Sequence, residues 1–400
     1  MMRLLFVHDN RFEHGADGHI YTSGTFPSAL WERYLRHFDE VCVLARNGRN
    51  KGAAGAEIRA DRARVFFQFA PNIGSLWGAA FNWRTSRARV RAAVAQANAV
   101  VARLPSELGF LAAAEAERQG KPLAVELAGC AWDAAINHGS PILKLYAPIF
   151  FHRTCRAAAR APLVVYVTSE FLQNRYPSSH HQISCSDVEI VPLSAEDRGR
   201  RGRRLERLAR GGLPQLGTIA SLSPFYKGLH LAIEAIAQLR AEGLHYPYAI
   251  LGPGNPEPWR ALARSAGVED LVRFDGTREP GAPVRGWLDD IDLHLQPSLA
   301  EGLPRATIEA MSRGVACIGS DVGGIPELLP RAQLHPSGDS RSLAETIRRL
   351  ATAPDLVASA AWSGVEQARL FWPEMLERCH DEAYGRLRAM AEARSGGCGR

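Results

Sequence analysis

Four hundred residues exceed what one ordinary hydrophobic core organises, so two domains are expected. An apolar fraction of 46% and a charged fraction of 22% are those of a soluble globular protein, and they exclude a disordered or fibrous chain. The net charge of +6 admits anionic partners such as a phosphate-rich ligand or an anionic membrane. Nucleic acid fits the charge too, but no helix-turn-helix, zinc or RNA-binding signature accompanies it, and no nucleic-acid partner is expected. The seven cysteines form no Cys-x-x-Cys pair, so metal ribbons and redox motifs are unsupported. Cys42, Cys130 and Cys317 sit in or beside apolar runs, read as buried thiols, and suggest a reducing compartment. No apolar stretch reaches the roughly 20 residues of a membrane span. The N-terminal run reads as a first strand and not as a signal peptide, because charge returns at once.

In chain order, the first half alternates strands and helices. Apolar runs at Leu4–His8, Val41–Ala45, Val65–Phe69, Ala99–Arg103, Leu123–Leu127, Leu163–Val167 and Val188–Pro192 read as strands. Between them, 28–38, 84–98, 107–119 and 142–161 carry helical periodicity. Such alternation predicts an α/β fold with a doubly wound parallel sheet over residues 1–194. Its candidate polar groups are His8 and Arg103 at strand ends, Thr168 as a helix cap, and Asp133 beyond the strand that carries Glu126. Gly15, Gly18 and Gly24 lie between the first strand and its helix, where a turn or a ligand loop would look alike.

Residues 195–212 hold arginines at 198, 200, 201, 203, 204, 207 and 210 and interrupt the pattern. The stretch reads as an interdomain linker with a solvated basic face; contact with anionic lipid headgroups is the functional alternative. Alternation restarts over 213–365, with strands at 216–220, 248–251, 272–274, 292–298 and 315–319. A helix within 366–393 is expected, followed by a disordered tail at 394–400.

The run Asp292-Leu-His-Leu-Gln-Pro-Ser298 leads into Glu301-Gly-Leu-Pro-Arg-Ala-Thr-Ile-Glu309. This is a buried strand, a turn permitted by Gly302 and passing through Leu303, and a helix whose first position suits Pro304. Glu301 then lies at the carboxyl end of a strand, where ligands of open α/β sheets bind. Glu309 lies about 7.5 Å further along the helix axis. The helix start between them presents unpaired N–H groups and a positive dipole to an anion. Two acceptors for hydroxyls on either side of an anion site match a nucleotide sugar. Gly252 and Gly254 follow another strand and allow either close approach to the nucleotide or a plain tight turn. Asp289, Asp290 and Asp292 fall away from that ligand edge, so no metal site is assigned there.

The Glu-x(7)-Glu segment and its flank, Gly314-Val-Ala-Cys-Ile-Gly-Ser-Asp-Val-Gly-Gly-Ile-Pro-Glu327, resemble the retaining family 4 glycosyltransferases of the GT-B fold. The likeness covers about Gly217 to Glu327 well and the first half loosely, where pieces are similar to capsule and exopolysaccharide transferases. It implies two Rossmann-like domains facing a central cleft, with the last helix crossing back to the first. By this resemblance Glu301 contacts the donor hexose and Glu309 the ribose. Lys227 binds the diphosphate, and Arg273 lies in the segment whose backbone meets the base. Ser221 stands where the family usually has a phosphate-binding Arg, and Arg305 is the candidate substitute. Asp133 lies where many relatives place a cleft His, and Gly24 belongs to the loop under the diphosphate. Glu327 reads as supporting. The activity implied is metal-independent transfer of a hexosyl unit, with retention and no cofactor, from a UDP- or GDP-sugar to a saccharide or polyprenyl-linked acceptor. The expected location is the cytoplasm, at the inner face of the membrane. The competing readings are a GT-B sugar-nucleotide 2-epimerase and a non-catalytic sugar-nucleotide or polysaccharide-binding protein.

Overall fold

The computed structural model describes residues 1–22, 26–48, 58–73, 76–137, 140–223 and 225–397. The chain divides into two compact units. The first comprises Met1–Trp132, Tyr146–Cys185 and Glu377–Arg400; the second comprises Asp133–Leu145 and Ser186–Leu376. Sequence reading put the first domain's end at 194, whereas the units divide after Cys185.

The strands of the first unit are β1 (Arg3–His14), β2 (Ile20–Thr22), β3 (Glu40–Asn47), β4 (Ile58–Arg59), β5 (Val65–Ala70), β6 (Ala99–Leu104), β7 (Leu123–Leu127), β8 (Leu163–Tyr166) and β9 (His181–Ser184). Seven of them pair in parallel in the order β5-β3-β1-β6-β7-β8-β9, while β2 and β4 form an antiparallel extension of β1. The helices are α1 (Glu32–Leu35), α2 (Leu76–Gln96), α3 (Glu107–Arg118), α4 (Ala131–Ile136), α5 (Pro141–Arg160) and α6 (Phe171–Arg175). Strands such as β6 are buried along their whole length, as parallel strands covered on both faces must be. The strand expected at Val188–Pro192 does not form. Val188 and Ile190 are buried and Glu189 is exposed, so the segment imitates strand alternation while pairing with no neighbour among the described residues. The closing strand is β9, a short edge strand beside β8.

In the second unit the helices are α7 (Ala195–Ala209), α8 (Leu229–Ala241), α9 (Glu257–Ser265), α10 (Ala282–Asp289), α11 (Arg305–Ser312), α12 (Ile325–Leu328), α13 (Ser340–Ala351) and α14 (Pro354–Ala368). The strands are β10 (Leu216–Ile219), β11 (Tyr248–Leu251), β12 (Val272–Phe274), β13 (Leu293–Gln296), β14 (Ala316–Ser320) and β15 (Leu334–His335). They pair in parallel in the order β12-β11-β10-β13-β14-β15. This is the doubly wound order 3-2-1-4-5-6, and the winding reverses between β10 and β13.

The basic linker is corrected to a helix. Ser194 caps α7 by accepting from the Asp197 amide, and Glu196 and Asp197 occupy its first turn, where acids favour helix formation. Nor is its inner face solvated. Arg201 is 3% exposed and donates to the carbonyls of Arg313 (3.0 Å), Ile291 (2.7 Å) and Leu288 (3.0 Å). Arg204 and Arg207 clasp the buried Asp292 carboxylate at 3.0 and 2.8 Å. Arg313 pairs with Asp289 at 2.8 Å.

The last helix, α15 (Pro373–Gly397), runs on through most of the expected disordered tail; residues 398–400 lie outside the described residues. From Glu377 onward it belongs to the first unit. There the hydroxyls of Tyr384 and Tyr34 donate to Glu126 Oε1 at 2.7 and 2.8 Å, and Arg103 donates to Glu126 Oε2 at 3.0 Å. A disulfide joins Cys379 of α15 to Cys185, 194 residues earlier. The scattered spacing gives no sign of this pairing, which departs from the reducing compartment expected, while Cys42, Cys130 and Cys317 are buried free thiols as expected.

Candidate functional site

The site assembles at the carboxyl ends of the two strands between which the winding reverses. Strands β10 and β13 lie side by side, with Leu216 opposite Leu293. The loop after β10 ends in Lys227, and the loop after β13 carries Glu301. The two loops are pinned together, because the Leu299 amide donates to Tyr226 O at 2.7 Å. Gly228 sits at φ 71°, and a Cβ there would lie 1.8 Å from the Pro297 carbonyl oxygen. Only glycine allows that approach. On the other side Gly323, at φ 59°, presses on the Glu301 carbonyl, which a Cβ would meet at 2.3 Å. The Gly324 amide donates to Gly302 O at 2.7 Å. The backbone of Glu301 is therefore held from both sides.

Lys227 Nζ donates to Glu301 Oε1 at 2.7 Å. The same oxygen accepts from Gln296 Nε2 at 2.9 Å and Ser298 Oγ at 2.8 Å. Burial alone would draw the Lys227 pKa down, but the carboxylate of Glu301 more than offsets it and the value is raised. The ammonium is charged at neutral pH. Gln296 and Ser298 were not singled out in the sequence. The signal was their period of two with His294 along an otherwise apolar strand, which turns three polar side chains to one face.

Helix α11 begins just past Glu301. Pro304 is its N-cap, one place earlier than the sequence suggested, and no side chain caps the helix start. Arg305, its first residue, is exposed, and its guanidinium makes no hydrogen bond or ion pair among the described residues. Its field is felt by both Lys227 and Glu309. Glu309 is half-buried, and its carboxylate likewise has no partner among the described residues. Burial pushes its pKa up to about 7, with Arg305 opposing and Glu189 adding to the rise.

The remaining candidates fall in several places. Ser221 Oγ donates to Pro253 O at 3.4 Å, and the Leu222 amide donates to the same carbonyl at 2.8 Å. Gly252 and Gly254 belong to this packing: a Cβ on Gly252 would lie 1.9 Å from Ala220 O, and one on Gly254 2.7 Å from Leu222 Cβ. Their local reason is therefore close contact between the loops after β10 and β11. Arg273 is exposed and spends its guanidinium on Asp275, at 2.6 and 3.1 Å. Asp133 lies in the first turn of α4, where its carbonyl accepts from Asn137 Nδ2 at 2.9 Å. Gly24 lies outside the described residues. Glu327 lies in α12, where its carbonyl accepts from Gln367 Nε2 at 3.3 Å. In the first unit, Arg103 is committed to Glu126, and burial beside Arg103 and Arg46 brings the His8 pKa down to about 3. That imidazole is neutral. Among the described residues, no group of three or more His, Cys, Asp or Glu side chains is placed to hold a metal ion.

Two Rossmann-like sheets, the second wound in the order 3-2-1-4-5-6, are the architecture of the GT-B fold. Solved structures agree on the fold. Anabaena HepE in complex with UDP and glucose aligns over 97% of this chain and 99% of its own, with TM-score 0.67 and 18% identity. Sucrose-phosphate synthase of Thermosynechococcus elongatus aligns over 97% and 100%, with TM-score 0.68 and 15% identity. Residues 213–353 match the family described as "Glycosyl transferases group 1". Protein CapJ of Staphylococcus aureus is 30% identical over 351 residues, covering 87% of this chain and 86% of CapJ. The putative colanic acid biosynthesis glycosyltransferase WcaL of Escherichia coli K12 is 38% identical over 156 residues, covering 36% and 37% of the two chains. The chain belongs to the group 1 glycosyl transferases and is a glycosyltransferase.

Proposed function

We propose that this enzyme transfers a hexosyl unit from a nucleoside-diphosphate sugar, UDP- or GDP-linked, to a saccharide or polyprenyl-linked acceptor in surface-polysaccharide assembly. The observation that carries the reading is the Lys227–Glu301 pair beside an uncapped helix start. Lys227 and Glu301 are each other's partner in the structure, at 2.7 Å. An entering diphosphate competes for the ammonium and for the amides of α11, which frees Glu301 for the hydroxyls of the hexose. Leaving-group charge then develops against Lys227, Arg305 and the helix start, which are already oriented. Arg305 supplies the cation that Ser221 lacks, since its guanidinium is uncommitted and Ser221 is turned to Pro253. Glu309, ionised, accepts the ribose hydroxyls.

Retention and independence of metal rest on the likeness of the Glu301–Glu309 segment to family 4 enzymes. The donor class draws support from HepE, solved with UDP and with UDP-glucose, and the acceptor class from the colanic acid name of WcaL. We place the reaction on the cytoplasmic side of the membrane, where Cys185 and Cys379 would be held as thiols rather than as the disulfide of the structure. Glu301→Gln tests the role of Glu301. Turnover should fall by orders of magnitude while the thermal midpoint stays near that of the parent. A fully active Glu301→Gln enzyme would remove Glu301 from the reacting centre. Release of free sugar and nucleotide with no acceptor present would favour the epimerase reading instead.

A further inference from the structure

We infer that Gln296 is a positioning residue for the transfer step: from within β13 its amide aims the Glu301 carboxylate at the donor hexose. The inference rests on the proposed role of Glu301 at that hexose. Glu301 Oε1 accepts three hydrogen bonds, from Lys227 Nζ, Ser298 Oγ and Gln296 Nε2. Glu301 Oε2 accepts none among the described residues. One oxygen is clamped, and the other is left as the acceptor for a sugar hydroxyl. An entering diphosphate draws Lys227 away from the clamp, whereas Gln296 has no such competitor. Gln296 Nε2 also donates to Ser298 Oγ at 2.9 Å, so the hydroxyl that reaches Glu301 is itself held by the same amide. Both N–H groups of Gln296 thus serve Glu301, one directly and one through Ser298.

The orientation of that amide is set from inside the second unit. Gln296 is 2% exposed, and His294 and Thr307 are fully buried. A carboxylate only accepts, so the NH2 group must face Glu301 and the amide oxygen must face away. There Gln296 Oε1 meets Thr307 Oγ1, from the first turn of α11, and His294 Nε2, each at 3.3 Å. Burial brings the His294 pKa down to about 4, so the imidazole is neutral and carries a single N–H. On Nε2 that proton is donated to Gln296. On Nδ1 it would find no acceptor among the described residues, and Nε2 would turn a lone pair against the amide oxygen. The row His294, Gln296, Ser298 is costly to bury unless its members bond to one another, and it ends on Glu301.

Two variants test this. Gln296→Met keeps the length of the side chain and removes the amide. Its kcat at saturating donor should fall roughly hundredfold, while affinity for UDP or GDP, by calorimetry, stays within about twofold of the parent's. Gln296→Glu makes the effect conditional on pH. Protonated, the introduced carboxyl donates to Glu301 and accepts from Thr307 and His294; ionised, it repels Glu301. Burial and the Glu301 carboxylate raise its pKa, Lys227 opposes, and the neutral His294 adds no charge. The ratio of its kcat to the parent's should approach parity at the acid end and fall about tenfold per pH unit above that pKa. A loss of stability alone gives no such limb, and saturating donor removes the effect of Glu309 on affinity. Should Gln296→Met fail to fold, the pH ratio of Gln296→Glu decides. Parental kcat in a folded Gln296→Met, a Gln296→Glu ratio that does not change with pH, or a loss of nucleotide affinity as large as the loss of kcat overturns the inference. Glu301→Gln keeps the two readings apart. Full activity there removes Glu301 itself from the reacting centre, whereas an inactive Glu301→Gln beside an unimpaired Gln296→Met overturns the positioning role alone.

Discussion

Lys227 and Glu301, 74 residues apart in sequence, meet at 2.7 Å at the point where the second sheet reverses its winding. The parallel pairing of β10 with β13 puts their loops side by side, and the glycines at 228 and 323 let the backbones close in. The pair is thus set by backbone geometry at the sheet edge where open α/β sheets bind ligands.

Gly228→Ala should be costly. Its φ of 71° disfavours any side chain, and the added methyl would overlap the Pro297 carbonyl, 1.8 Å away. A loss of about 2–3 kcal/mol by denaturant unfolding is expected, with a raised donor KM as Lys227 is displaced. Gly211→Ala also has positive φ, but nothing lies within 4 Å of its Cβ position, so its cost should be about 1 kcal/mol, with KM unchanged.

Arg305→Ala should weaken donor binding roughly tenfold to hundredfold, because it removes an uncommitted cation from the diphosphate. If charge is what matters, Ser221→Arg in the same protein should restore part of the loss. Calorimetric titration of the donor into the single and double variants measures both effects. Failure of Ser221→Arg to restore any affinity would assign Arg305 a packing role.

Glu309 gives a pH dependence of definite sign. Burial raises its folded-state pKa to about 7 from an ordinary 4.5, so the folded protein binds the extra proton between those values. The stability it contributes is complete below the unfolded value and is lost as pH rises through about 7. Glu309→Gln should flatten that loss, by about 1 kcal/mol at this partly buried position. Donor affinity should move the other way. It rises with pH as the carboxylate ionises to accept the ribose, and in Glu309→Gln it is flat. Calorimetry at several pH values checks both slopes.

Arg201→Met should destabilise the second unit by about 3 kcal/mol, because three buried carbonyls lose their donor. Arg210→Ala, at the exposed end of α7, should change stability by no more than about 0.5 kcal/mol. Urea unfolding of the two variants separates a structural helix from a solvated linker.

Much of the fold was legible because parallel strands and covering helices leave strong periodicities; the runs at Leu123–Leu127, Tyr248–Leu251 and Val272–Phe274 match their strands end for end. The strand tip at Glu301 was legible for the same reason. The readings that failed depended on partners distant in sequence. The arginines of α7 looked solvated because Asp292 and the carbonyls of Leu288 and Ile291 lie 85–90 residues away. Val188 and Ile190 alternate as a strand does, yet no neighbour among the described residues offers them a ladder. Cys185 and Cys379 meet only because β9 and α15 do. The Lys227–Glu301 bond was hidden in the same way. The resemblance gives each residue a different part of the donor, and nothing in either loop alone indicates that they hold each other.

The most direct measurement is a thermal-shift screen of UDP- and GDP-sugars against the parent protein and Lys227→Ala. At least one nucleotide sugar should raise the parent's midpoint by about 5 °C at saturating concentration, and Lys227→Ala, read against its own ligand-free midpoint, should lose most of that rise. If no nucleotide sugar stabilises the parent, or if Lys227→Ala is stabilised as strongly as the parent, the pair at the reversal point is not the donor site.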